Sequence, residues 1–394
     1  MTPTYPCTVC GRPETVHFMT MPQMPAHCNV LWPTPAGARQ APRGDIQLHF
    51  CPTCGHVFNA DFDPALMAYD QAYENSLHFS DRFQQYATAL ASDLVARYGL
   101  QGKDIVEIGS GQGDFLQLLC ELGQNRGVGF DPSYDPGAVR ASGGQADPGR
   151  VRFVPDFYGA KYAGQPADFI VCRHVLEHIE DPAGFLRLVR GAVGPREATI
   201  VFFEVPNVLF TLRQQGIWDI IYEHCSYFSP HSLAYAFAQA GFEVLRVAET
   251  FGGQFLTIEA RPAPAGNPLP TPNTSDLAAD VAQFGRLYHD KVQTWQQHLD
   301  EMAQSGRRVI IWGAGSKGVS FLNTLPTQDV VAYAVDINPR KEGMHVAGSG
   351  QQIVPPTFLP GYRPDNVIIM NANYIDEIGQ QLAALGLSAA ILVA

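Results

Sequence analysis

Asp104-Ile105-Val106-Glu107-Ile108-Gly109-Ser110-Gly111-Gln112-Gly113-Asp114-Phe115-Leu116 is the stretch that decides the fold. A short apolar run meets a glycine-rich turn and passes into residues with helical spacing, which predicts strand, turn and helix. Glycines at 109, 111 and 113 leave no side chains between backbone and ligand, and a helix opening near Asp114 presents unpaired N–H groups suited to a carboxylate or phosphate. The spacing is Gly-x-Gly-x-Gly, not the Gly-x-Gly-x-x-Gly of the dinucleotide fingerprint, and Glu107 stands just before the first glycine.

Two further carboxylates extend the pattern. Gly127-Val128-Gly129-Phe130-Asp131 reads as the next strand, ending in an acid placed to accept both hydroxyls of a ribose, and Asp156 follows the apolar run Val151–Val154. The spacing and these acids favour S-adenosylmethionine over a dinucleotide. In this order the residues resemble the class I S-adenosylmethionine-dependent methyltransferases, which makes Glu107, Gly109, Gly111, Gly113, Asp131, Asp156 and, at the end of a later strand, His174 the expected cofactor-binding set. Apolar runs at 104–108, 127–131, 151–154, 168–172, 199–205, 242–248 and 255–261 suit a seven-stranded sheet with a final hairpin. Phe83, Tyr86, Leu90, Leu94 and Tyr98 predict an amphipathic helix ahead of it.

With 394 residues, 46% of them apolar and 16% charged, the chain has the composition of a globular protein with two or three domains. A net charge of -12 argues against nucleic acid and anionic membrane surfaces as partners. Apolar runs fall short of a bilayer span and nothing resembles a signal peptide, so a cytoplasmic location is expected.

Eight cysteines are too few for a disulfide scaffold, and four form the pairs Cys7-x-x-Cys10 and Cys51-x-x-Cys54, each followed by glycine. This is a four-cysteine zinc set; a closed thiolate shell leaves no position for substrate, so the zinc is expected to be structural. The intervening stretch is proline-rich with little hydrophobic period, and a metal crosslink is expected to organise it. His17, His27, Cys28, His49 and His56 read as ordinary polar or semi-buried residues.

The polar residues that suggest acid–base chemistry lie beyond the fourth and fifth strands. His174 and His178 follow the run 168–172, at the sheet edge where open α/β folds bind ligands. Glu204-Val205-Pro206-Asn207 and then Trp218–Ser229, containing Tyr222-Glu223-His224, mix aromatic and titratable groups. His224 is the natural base, with Glu223 or Glu204 to hold it, and Tyr73 is placed to close over the pocket from the N-terminal side. Past a linker with five prolines in 262–275 comes a connecting helix marked by Val281, Phe284, Tyr288, Val292, Trp295, Leu299 and Met302. A second strand and glycine turn, Arg308–Gly318, then opens a smaller Rossmann-like unit in which Lys317 is a candidate phosphate contact.

Taken together, nearly the whole chain resembles the sugar C-methyltransferases, which methylate nucleotide-linked deoxyketosugars. The resemblance rests on the cysteine pairs, the methyltransferase motif, Glu-His-x-x-Tyr-Phe-Ser at 223–229, Gly-Ala-x-x-Lys-Gly at 313–318, and Asp336-x-Asn338-Pro339-x-Lys341-x-Gly343. It implies an α/β fold: a zinc-binding domain (1–68), a methyltransferase domain with the seven-stranded sheet (69–265), a linker and connecting helix (266–302), and a C-terminal Rossmann-like domain (303–394). It also implies S-adenosylmethionine, structural zinc, a nucleotide-linked sugar as acceptor, and His224 as the base that forms an enolate. Glu223, Tyr222 and His178 stand around the acceptor in this reading, with Tyr73, Asn207 and Lys317 contacting substrate. The sequence departs from the family where His174 replaces Asn, Ile221-Tyr222 replaces Tyr-His, and Phe251–Leu256 lacks the serine and arginine of a substrate-facing loop. The alternative is O-methylation of a sugar or secondary-metabolite hydroxyl.

Overall fold

In the computed structural model, residues 5–67, 74, 79–135, 149–264, 269–270, 274–325 and 330–394 are described; Tyr73 lies outside them. The quoted stretch forms strand β1 (Asp104–Ile108) and, after the glycine turn, a helix over Asp114–Gly123. Six more strands join β1: β2 (Arg126–Phe130), β3 (Val151–Val154), β4 (Phe169–Arg173), β5 (Ile200–Pro206), β6 (Phe242–Thr250) and β7 (Phe255–Pro262). Their order is β3-β2-β1-β4-β5-β7-β6, parallel except that β7 runs antiparallel to both β5 and β6.

Strand alternation covers both faces of this sheet. Ile105, Val171 and Phe202 face the helices over Asp81–Tyr98 and Asp114–Gly123, burying Ala91, Leu94 and Leu119. Val106, Ile170, Cys172 and Phe203 face the other way, against Leu186 and Val189 of the helix Pro182–Val193 and Leu233 and Phe237 of Pro230–Gln239. Chain order reverses between β1 and β4, which opens a crevice at their carboxyl ends.

The C-terminal sheet repeats this device. Its five parallel strands lie in the order Gln352–Val354, Val331–Val335, Val309–Trp312, Asn366–Ile369, Ala390–Val393, with the reversal beside Val309–Trp312. The long helix Ser275–Gln304 leads into it and buries the expected aromatic stripe of Phe284, Tyr288 and Trp295.

The N-terminal segment departs from expectation. Instead of an irregular stretch, Val16–Pro25 and Arg43–Phe50 form an antiparallel pair, joined by Val57–Asn59 and by Ser226–Tyr227 from beyond β5. Register shifts between His17 and Met19 and between Met21 and Met24 break the alternation that would have revealed the first strand, and its edge position tolerates Pro22 and Pro25. One apolar cluster unites Met21 and Ile46 of this sheet, Trp218 and Ile220, Phe284 and Trp295, and Val309 and Ile368. Packing is thus continuous across positions 68, 265 and 302, where the sequence suggests boundaries.

Candidate active site

The two crevices face one cavity of about 790 Å³, lined from the first sheet by Glu107–Gly111, Phe130–Ser133, Arg173–Val175 and Glu177–His178, and from the second by Trp312–Gly313, Asp336–Asn338 and Ile369–Asn371. At the glycine turn the three glycines have separate causes. All have positive φ, but a Cβ on Gly109 would lie 2.1 Å from Val175 and one on Gly113 2.1 Å from Phe153, whereas one on Gly111 meets nothing within 4 Å. Gly109 and Gly113 permit packing of the turn on its neighbours, and Gly111 alone keeps cavity space open.

The acids flanking this turn differ in how they are held. Glu107 is buried, its Oε2 lacks a hydrogen-bond partner, and burial raises its pKa to about 8. Asp131 accepts the Gly111 N–H at 2.8 Å through Oδ2 and the Ser133 N–H and hydroxyl at 2.8 and 2.6 Å through Oδ1. Of the four lone-pair positions of a carboxylate, this leaves one, on Oδ2, for a ligand hydroxyl rather than the expected pair. The Asp156 carboxylate is tied to Lys161 and to the Tyr162 hydroxyl at 2.6 Å and lies off the cavity wall, where Phe157 and Tyr158 stand.

A chain of ionisable groups runs inward from β4 and β5. Glu204, fully buried, accepts Arg173 Nη2 at 2.9 Å through Oε1, which also lies 2.8 Å from His174 Nε2 as an ion pair, and its other oxygen takes the Tyr86 hydroxyl. Burial alone would raise its pKa, but Arg173 and His174 hold it at about 2. His174, in a left-handed conformation at φ 54°, lies between Glu204 and Glu177, whose Oε1 is 3.5 Å from Nδ1. Burial opposes its charge, yet hydrogen bonds to Glu177 and Glu204 raise its pKa to about 9, so it is an imidazolium at neutral pH.

His224 has the opposite state. Burial first, then the neighbouring His178, lowers its pKa to about 3, leaving a neutral ring with a lone pair on the cavity wall. The rings of His178 and His224 are 4.8 Å apart and nearly perpendicular, and His178 Nδ1 is 3.0 Å from the Glu223 carbonyl. Neither Glu204 nor Glu223 is the acid beside His224. Glu204 serves Arg173 and His174, Glu223 accepts the Cys28 N–H, and it is Glu177 that lies with His178 and His224, their ligand atoms within 4.8 Å of one another. Sequence reasoning missed Glu177, although its position three residues after His174 and one before His178 on a single turn carried the signal.

Two other expected residues lie off the cavity wall. Tyr222 points into the N-terminal sheet: its ring fills the space a side chain on Gly44 would need, and its hydroxyl accepts the Asp63 N–H at 2.8 Å. Tyr222 and Glu223 form a turn, and Ile221, Glu223 and His224 on either side of Tyr222 all line the cavity. Asn207 caps the short helix Val208–Arg213, accepting from Leu209 N and donating to the Gly253 carbonyl at 2.9 Å. Lys317 does reach the cavity, where it pairs with Asp219 at 2.7 Å.

Away from the cavity lining, Cys7, Cys10, Cys51 and Cys54 converge, with Sγ separations of 3.6 Å for Cys7–Cys54 and 3.5 Å for Cys10–Cys51. Tetrahedral zinc with its usual sulfur bonds places sulfurs about 3.8 Å apart, so the thiolate set fits the ion. Gly11 and Gly55, both at positive φ, return their N–H groups to the carbonyls of Cys7 and Cys51 and close each knuckle.

Comparison with known proteins agrees with this architecture. Residues 81–247 match the family model for a methyltransferase domain, and residues 275–393 match that for a C-methyltransferase C-terminal domain. The chain is 28% identical to the C-methyltransferase NovU of Streptomyces niveus over 316 residues, covering 75% of this chain and 72% of that protein. It is 32% identical to a ubiquinone biosynthesis O-methyltransferase of Escherichia coli over 114 residues, covering 28% of this chain and 45% of the relative. Among solved structures, the N,N-8-amino-8-demethyl-D-riboflavin dimethyltransferase of Streptomyces davawensis covers 46% of this chain and 56% of its own at 19% identity and a TM-score of 0.37. Among the described residues, no helix is long and apolar enough to cross a membrane. With the strand order, the glycine turn and both family models in agreement, the chain is an S-adenosylmethionine-dependent methyltransferase with the class I fold, and its C-terminal part is similar to the C-methyltransferase C-terminal domain.

Proposed function

We propose that this enzyme methylates a carbon atom of a nucleotide-linked keto sugar, with His224 as the base that removes the proton next to the keto group. The observation that carries the reading is the shared cavity: the glycine turn, His224 and the glycine turn of the C-terminal sheet with Lys317 line the same space. A bipartite acceptor, with a reacting sugar and an anionic nucleotide end, suits a cavity whose lining holds a base, a lysine and a helix N-terminus.

Gly111, Asp131 and Glu107 are the residues assigned to hold S-adenosylmethionine, with Phe157 and Tyr158 beside them. Glu107, an orphaned buried acid, is suited to a cationic ligand group, and such a partner would restore its ionised form. When bound, the cofactor supplies an electrophilic methyl group. His224 Nδ1 or Nε2 takes the proton in its neutral form, and the nearby Glu177 carboxylate stabilises the imidazolium that results. His178, fixed by the Glu223 carbonyl, and Glu223 itself frame the acceptor. Zinc at the four cysteines, which lie off the cavity lining, has a structural role.

His224→Gln is the test. It is expected to leave S-adenosylmethionine affinity within a few-fold while turnover falls about 10²–10⁴-fold, the usual worth of a positioned base. Turnover at the parental rate would remove His224 from the mechanism.

A further inference from the structure

We propose that Glu177, His178 and His224 form a second metal site, distinct from the four cysteines, that takes one divalent transition-metal ion through a carboxylate oxygen and two imidazole nitrogens.

Three observations converge on it. Each of these side chains offers a ligand atom within 4.8 Å of the others, and all three residues line the cavity. Zinc with bonds of ordinary length holds its nitrogen and oxygen ligands about 3.3 Å apart, so each pair of ligand atoms needs to close by about 1.5 Å at most. Glu177 is only 2% exposed, its Oε1 is directed toward His174, and its Oε2 is buried with no hydrogen-bond partner. A buried carboxylate oxygen without a donor is costly, and a cation between it and the two rings removes that cost. Finally, donation from His178 Nδ1–H to the Glu223 carbonyl at 3.0 Å selects the tautomer whose lone pair is on Nε2, the backbone-carbonyl arrangement typical of metal-binding histidines.

Two histidines and one carboxylate are a ligand set for zinc or cobalt, with further positions left for water or an acceptor oxygen. Such an ion consumes the lone pair of His224. If His224 is the base proposed above, the metal-loaded enzyme cannot form the enolate, and the ion acts as a reversible inhibitor. The inhibition arm rests on that proposal; the binding arm does not.

The experiment uses full-length enzyme already carrying zinc on its cysteines, titrated with Zn²⁺ by calorimetry and with Co²⁺ by visible absorption, without acceptor. One added ion per chain is expected, with cobalt d–d bands but no thiolate-to-cobalt charge transfer. Glu177→Gln and His224→Gln should each weaken uptake about tenfold or more, while S-adenosylmethionine affinity stays within a few-fold as the check on folding. No uptake beyond the cysteine-bound zinc, or uptake indifferent to both variants, overturns the site. If the ion binds as described and turnover does not fall with occupancy, the site stands and the assignment of His224 as base is the part that fails.

Discussion

Replacing Gly111 with leucine is expected to separate cofactor binding from folding. Gly111 has φ +51°, a region that costs an L-residue about 1–2 kcal/mol. A Cβ built there meets nothing within 4 Å, so the new side chain enters the cavity and not the protein interior. Stability should fall only by the backbone strain, whereas crowding the cofactor space adds an overpacking cost of about 1–3 kcal/mol to binding, weakening affinity roughly 5- to 150-fold. Gly113→Ala makes the contrast. Its Cβ would lie 2.1 Å from the Phe153 ring with φ +93°, and strain plus overpacking bring the loss of stability to about 2–5 kcal/mol. Calorimetric titration with S-adenosylmethionine beside urea unfolding reads both quantities. Parental affinity in Gly111→Leu would refute the placement of the cofactor at this turn.

The Glu204 network predicts a bounded pH range of stability. His174, raised to about 9, contributes fully below its ordinary value of 6.5, and its contribution is lost as pH rises through 9. Glu204, lowered to about 2, contributes above its ordinary value of 4.5, and its contribution is lost as pH falls through 2. This pair therefore contributes in full between these two ordinary values, and His174→Asn should flatten the alkaline limb of the urea midpoints; an unchanged limb would show that His174 is not held charged. Glu204→Gln leaves Arg173 and His174 buried without their counter-charge and should cost about 3–5 kcal/mol by the same assay, with a loss below 1 kcal/mol arguing against a tight pair. Elemental analysis of purified, desalted enzyme should find one zinc per chain, and Cys10→Ser should abolish it and lower the melting temperature; zinc retained by that variant would contradict the thiolate set. Lys317→Ala should raise the KM for a nucleotide-linked acceptor about 5- to 10-fold, the scale of one charge-assisted hydrogen bond, without changing cofactor affinity; an unaltered KM would remove Lys317 from the acceptor site.

What could be read from the sequence divides along physical lines. β1, β2, β4 and β5 are fully covered strands, so Asp104–Ile108 or Ile200–Val205 stand out as continuous apolar runs, and the hairpin of β6 and β7 follows from two such runs close together. The strand Val16–Pro25 was hidden because two register shifts scramble its alternation and its partners lie at Arg43–Phe50 and, through the sheet, at Ser226–Tyr227. At the site, residues placed by backbone position were legible: His174, His178 and Lys317 follow strand ends and reach the cavity. Residues whose direction depends on tertiary partners were not. Tyr222 was drawn away by Gly44 and Asp63, Asn207 by its capping bond, and Asp156 by Lys161 and Tyr162. Glu177 shares a turn with His174 and His178, a signal visible in the sequence, but its place beside His224 is set by the fold.

The central claim is carbon methylation through an enolate. Its most direct test is product analysis by mass spectrometry and NMR after incubating the enzyme with S-adenosylmethionine and nucleotide-linked keto sugars, beside their hydroxyl counterparts, in deuterated water. A methyl group on the carbon next to the keto group is expected, with solvent deuterium exchanged into the same position of acceptor not yet methylated, and neither outcome with His224→Gln. A methyl group on oxygen, formed without exchange at carbon, would contradict it.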